Sequence, residues 1–242
     1  MEKSNNLMMP VAVVIAGLII GGAVMSTSDK GAPSRVAQAP SGNQPVPSQL
    51  SGSTDAVDPI TDQDHIAGNP DAAVVVVEYS DFECPFCKRF HETMNQVIDE
   101  YGDNGDVAWV YRQFPIDQLH SKARLESNIS ECVADVGGND AFWAFTNRFY
   151  ELTPSNNQTD LDTVIPQILG EIGIDKLAVQ SCVDSDKYAT HIQDDVDNAA
   201  ETGGRGTPWS IVIGPDGTTY PLSGAQPYAA VKQIIDLALS NK

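Results

Sequence analysis

The chain has 242 residues, enough for one sizeable domain with appendages, and 41% of them are apolar, which is enough for an ordinary buried core. Against 14 basic residues stand 33 acidic ones, a formal net charge of -19. Such a surface repels phosphate backbones and anionic headgroups, so nucleic acid is excluded as a partner. The four cysteines, Cys84, Cys87, Cys132 and Cys182, are too few for a disulfide-stapled mini-protein.

In chain order, residues 1–28 read as an N-terminal membrane anchor. Leu7 to Met25 is apolar or small and uncharged, about the length that crosses a hydrocarbon core as a helix. Lys3 and the amino group precede it, which places the remainder of the chain outside the cytoplasm by the positive-inside tendency. A cleaved signal peptide is the competing reading, although no small-x-small site closes the stretch. Residues 29–60, rich in Ser, Gly, Pro, Gln and Ala, cannot bury enough surface to offset ordering entropy and read as a flexible linker.

Residues 61–242 read as globular. Ala73 to Tyr79 is a β-branched run typical of a fully buried strand. Pro85 to Tyr101 carries Phe86, Phe90, Met94, Val97 and Ile98 at near-helical spacing, and Val107 to Phe114 reads as a second strand. A helical stretch over about 120–202 is expected to break near Gly137-Gly138, Thr153 to Thr159 and Gly173. Ser210 to Gly214, the turn Pro215-Asp216-Gly217 and Thr218 to Leu222 predict a hairpin, and Tyr228 to Leu239 an amphipathic closing helix. The order implies an α/β fold: a mixed sheet flanked by helices, with an all-helical insertion at about 117–204.

The chemistry centres on Cys84-Pro85-Phe86-Cys87. A thiol is nucleophilic only as thiolate. Cys84 falls between a predicted strand and a predicted helix whose first position is Pro85. It therefore faces unpaired backbone N–H groups at the positive end of the helix dipole. Cys87, one turn inward, can close a disulfide with it. An exposed attacking sulfur beside a shielded resolving one is what thiol–disulfide exchange requires. A C-x-x-C pair also serves metal sites, and His91, one turn further on, could complete a Cys84, Cys87, His91 set; otherwise His91 reads as a solvated helix residue. Glu78, alone in an apolar strand, is costly unless paired or protonated, and reads as a proton acceptor for Cys87 or as an outward-facing strand end. Outside the cytoplasm, Cys132 and Cys182 read as a structural disulfide.

The stretch His65 to Ala72, followed by Val-Val-Glu-Tyr-Ser-Asp-Phe-Glu-Cys-Pro-Phe-Cys, resembles the opening of DsbA-like proteins of the thioredoxin superfamily. The resemblance runs from about residue 61 to the C-terminus. It implies a thioredoxin-like sheet with a helical insertion, and a thiol–disulfide oxidoreductase needing no cofactor. The implied partners are exported proteins with cysteines and a membrane redox protein that resets the Cys84–Cys87 pair. It further implies that Thr207-Pro208 is a cis pair opposite the cysteines, contacting substrate together with Pro85 and Phe86, and that Glu78 is the buried acid. Phe86 departs from the best-known oxidase, which has histidine there; phenylalanine offers no hydrogen bond to the Cys84 thiolate, so extreme oxidising strength is not expected. Reductase and isomerase activities on the same scaffold remain alternatives.

Overall fold

A computed structural model describes residues 52–241 apart from position 103. The Leu7 to Met25 stretch lies outside the described residues; among them, no helix is long and apolar enough to cross a membrane. Five strands form one sheet: β1 (His65–Gly68), β2 (Val74–Ser80), β3 (Val107–Gln113), β4 (Trp209–Ile213) and β5 (Thr219–Ser223), in spatial order β1-β3-β2-β4-β5. Only the β2–β3 pair is parallel. It is joined by α1 (Pro85–Tyr101), as a parallel pair must be by a crossover. Strand β1 was not anticipated; four residues of mixed character show no usable alternation, and it forms by pairing with β3.

Between β3 and β4 lie α2 (Ala123–Leu152), α3 (Leu161–Ile172), α4 (Lys176–Ser185) and α5 (Ala189–Glu201), and α6 (Tyr228–Ser240) ends the chain. The break expected at Gly137-Gly138 is a kink within α2: Gly138 sits at φ 77°, ψ -174°, which only glycine adopts readily. Gly173 caps α3 in the left-handed region, as helix ends commonly do. The separation of α4 from α5 comes instead at Asp186, another left-handed residue, where no glycine or proline announces it.

The sheet has two packed faces. On one, Val74 and Val76 of β2 and Val107, Trp109 and Tyr111 of β3 meet Phe90, Met94 and Val97 of α1, Val231 and Ile235 of α6, and the aromatic residues Phe142, Phe145 and Phe149 of α2. On the other, Val77, Tyr79, Val110 and Ile211 pack with Ala199 of α5. The period of two along β2 thus decides which side chains reach α1. Cys132 of α2 and Cys182 of α4 are joined across the insertion, with sulfurs 2.01 Å apart.

Candidate active site

Strand β2 carries the site to the head of α1. Glu78 follows Val76 on the α1 face, fully buried rather than turned outward. Trp109 Nε1 donates to its Oε2 at 3.0 Å, while Oε1 has no partner. Burial, only partly offset by hydrogen bonds from Ser80 and Trp109, raises its pKa to about 7.

Residues 81–83 form the turn into α1. Asp81 and Glu83 are both fully buried. Asp81 Oδ1 accepts from Glu83 N at 2.8 Å; Oδ2 accepts from Ile116 N at 2.7 Å and His120 Nδ1 at 2.9 Å. Burial nonetheless raises the Asp81 pKa. Glu83 is tied to the loop after α2: its Oε2 accepts from Asn157 N at 2.6 Å and its carbonyl from Asn156 N at 2.8 Å. Ser155, Asn156 and Asn157 in that loop are all left-handed, at φ 63°, 53° and 63°. Beneath Glu83 lies Glu126 of α2, also fully buried with neither carboxylate oxygen partnered. Burial and contact with Glu83 raise the Glu126 pKa to about 10, so it carries a proton at neutral pH.

Cys84 is the N-cap of α1 and Pro85 opens the helix. The Cys84 thiol is drawn down to about 6, chiefly by a hydrogen bond from Cys87, against burial, and further by the Thr207 side chain and the backbone N–H groups of Cys87 and Phe86. The helix end therefore assists, but the neighbouring thiol contributes most. Cys87, fully buried, is raised well above the ordinary thiol range, first by burial and then by Cys84. Asp81 N donates to its sulfur at 3.5 Å. Both thiols are free. Contrary to the exposed sulfur expected from the motif, Cys84 is only 4% exposed; the surface beside it is Phe86, 52% exposed, with the Arg89 guanidinium 5.2 Å from its ring centroid. Pro85 is also exposed.

Across from α1, the Thr207–Pro208 peptide bond is cis, and Cys84 Sγ donates to the Thr207 carbonyl at 3.5 Å. The structure therefore brings Cys84, Cys87, Glu78, Thr207 and Pro208 to one place, while Cys132 and Cys182 lie within the helical insertion. His91 is not solvated: it is 3% exposed, bonded through Nε2 to Asn147 Oδ1 at 2.7 Å, and packed against Trp109 and Tyr150 with ring centroids 5.1 and 4.7 Å away. Burial lowers its pKa to about 4. Among the described residues, no group of three His, Cys, Asp or Glu side chains is placed to hold a metal ion.

Comparison with known proteins agrees with this geometry. A family model described as thioredoxin matches residues 61–236. The chain is 27% identical over 197 residues to disulfide bond formation protein D of Bacillus subtilis, covering 76% of this chain and 83% of that protein. It is 32% identical over 161 residues to Na(+)/H(+) antiporter NhaA 1 of Mycolicibacterium gilvum, covering 65% of this chain but spanning only 24% of the antiporter. Among solved structures, oxidised BdbD from Bacillus subtilis superposes with a TM-score of 0.62 at 25% identity, over 75% of this chain and 96% of that one. The alpha-DsbA1 of Wolbachia pipientis superposes with a TM-score of 0.66 at 18% identity, over 78% and 96%. The chain belongs to the thioredoxin family.

Proposed function

We propose that this protein is a thiol–disulfide oxidoreductase that oxidises cysteines in exported proteins through the Cys84–Cys87 pair. The observation that carries this reading is the split between the two thiols. Cys84 is lowered to about 6, so it is a good leaving group and a thiolate at neutral pH; Cys87 is raised and stays protonated. In the oxidised protein a substrate thiolate attacks Cys84 Sγ, the Cys84–Cys87 bond breaks, and Cys87 leaves and takes up a proton. A second substrate thiolate then displaces Cys84, which departs as thiolate. Stabilising the reduced form in this way makes the disulfide an oxidant. Glu78 is the proton store for Cys87, and Pro85, Phe86, Thr207 and Pro208 are the surface that meets substrate.

The reading places the domain outside the cytoplasm, tethered by the Leu7 to Met25 stretch, where a membrane redox partner resets the pair. Its support is the apolar stretch, the Cys132–Cys182 bond, which suits an oxidising compartment, and the likeness to a disulfide bond formation protein. The test is trapping. Cys87→Ala should accumulate mixed disulfides with reduced substrate proteins, and Cys84→Ala should lose exchange altogether. Trapping by the Cys84→Ala protein would reverse the roles. Equilibration with glutathione, alongside insulin reduction and oxidation of a reduced test protein, sets the direction: a potential as reducing as thioredoxin's would favour a reductase.

A further inference from the structure

Ser80 ends β2 two residues after Glu78, so the two side chains share the α1 face of the sheet. Ser80 is fully buried. Its hydroxyl lies 3.3 Å from the Tyr150 hydroxyl, which lies 3.1 Å from that of Tyr111 and donates to the Asp81 carbonyl at 3.3 Å. Three buried hydroxyls thus meet directly behind the redox turn. Cys87 Sγ is held against the first residue of that turn by Asp81 N, next in the chain to Ser80. The Ser80 hydroxyl also lies close enough to the Glu78 carboxyl and the Cys87 thiol to favour the charged form of each. On Glu78, Oε1 is unpartnered. A serine hydroxyl can donate one proton while accepting another, so one between an acid and a thiol can pass a proton without becoming charged itself.

We infer that the Ser80 hydroxyl carries the proton between Glu78 and Cys87, and that Tyr150 is a positioning residue that holds this hydroxyl in line. The inference rests on the oxidoreductase reading and adds the route to it. When a substrate thiolate breaks the disulfide, the Cys87 thiolate takes the Ser80 proton while Ser80 takes the proton of the Glu78 carboxylic acid. The products are Cys87 thiol, Glu78 carboxylate and an unchanged serine. In the opposite direction, Cys87 thiol gives its proton to Ser80 and Ser80 gives its own to the Glu78 carboxylate. The Cys87 thiolate so formed attacks Cys84 in a mixed disulfide and expels the bound thiol. The titratable groups that face Ser80 are Glu78 from β2, Tyr111 from β3, Cys87 from the first turn of α1 and Tyr150 from α2. His91 of α1 packs on the Tyr150 ring, and Asp81 turns its carboxylate toward His120.

The experiment follows release of glutathione from the full-length protein carrying a Cys84–glutathione mixed disulfide, as a function of pH. Wild-type release should rise through the Glu78 titration near neutral pH. Ser80→Ala should slow it about a hundredfold, the low end of what a positioned proton carrier contributes, and lose that inflection. Ser80→Thr should restore both, and Tyr150→Phe should give an intermediate rate. The Cys84 thiolate absorbance should titrate alike in all of them. Unchanged release by Ser80→Ala, or a Ser80→Thr protein as slow as the alanine variant, would overturn the relay. If Ser80→Ala does not fold, wild-type rates in mixtures of light and heavy water decide: two protons in flight give a curved dependence, and a straight line would overturn the relay. Wild-type protein that never releases glutathione would instead defeat the oxidoreductase reading.

Discussion

The two cysteine pairs are buried in the same apolar cluster but differ in bonding, spacing and chemistry. Cys132 and Cys182 stand 50 residues apart in sequence and are bonded across two helices, among apolar neighbours such as Ile129 and Val179. Cys84 and Cys87 stand within one helical turn, and around them gather Glu78, Ser80 and the Thr207 carbonyl, with Asp81 and Glu83 in the adjoining turn. The same functional group is a clamp in one region and a reagent in the other. What separates them is the polar company each keeps, since thiol reactivity follows thiolate stability.

Breaking the clamp should have the largest effect. Replacing Cys132 and Cys182 together by alanine removes the closure of a loop of 50 residues, which loop entropy values at about 4 kcal/mol, a figure that native-state relaxation can reduce. Denaturant unfolding should show that loss, while glutathione exchange at Cys84 in the folded protein stays as it was. A large change in the Cys84 exchange rate would mean that the two regions are coupled.

A second variant tests the acids beneath the redox turn. Glu126 is raised in the folded protein from 4.5 to about 10. The folded state therefore holds a proton that the unfolded state has released across that window, and stability falls as pH rises through it. Glu126→Gln keeps a donor for the unpartnered Glu83 oxygen and needs no proton. It should match wild type near pH 5 and exceed it increasingly toward pH 10, by about 1–3 kcal/mol, the usual cost of an unsatisfied buried polar group. Parallel stability curves for the two proteins across that range would refute a proton held on Glu126.

The smallest effect concerns Phe86. A histidine there can donate to the Cys84 thiolate where phenylalanine cannot, so Phe86→His should make the potential more oxidising by about 30 mV, a tenfold change in the equilibrium constant. Because Phe86 is half exposed, solvent weakens the gain. Equilibration of both proteins with glutathione measures it, and an unchanged or more reducing value would show that position 86 does not act on the thiolate.

How much of this was legible in the sequence follows a physical line. The apolar run of β2, the spacing of α1 and the proline at its first position announced strand, helix and the cysteine between them, because each is a local pattern. The opposing Thr207-Pro208 pair came only from resemblance. Strand β1 and the α4–α5 break were missed, since one depends on a partner strand and the other on a left-handed aspartate. Buried polar groups were the hardest. Nothing local marks Asp81 and Glu83 as buried: His120, Ile116 N and Asn157 N, which lie 35 to 74 residues away in sequence, close over them. His91 looked solvated until Asn147 and Trp109 enclosed it. Ser80 could have been found: the period of two that turns Glu78 inward turns Ser80 the same way.

The shielding of Cys84 has a consequence for survival in an oxidising environment. A thiolate at neutral pH is ordinarily the first sulfur that peroxide converts to sulfenic and then to irreversible acids, since susceptibility rises with both charge and accessibility. Here the two are uncoupled: the thiol is acidic enough to ionise at neutral pH, yet only 4% of its residue meets solvent, with the Thr207 carbonyl 3.5 Å from the sulfur. Small oxidants arriving at random find little of it. On the function proposed above, a polypeptide lying along the Thr207 backbone would be delivered to it, and the fold would spare its nucleophile for a guest large enough to be held in register.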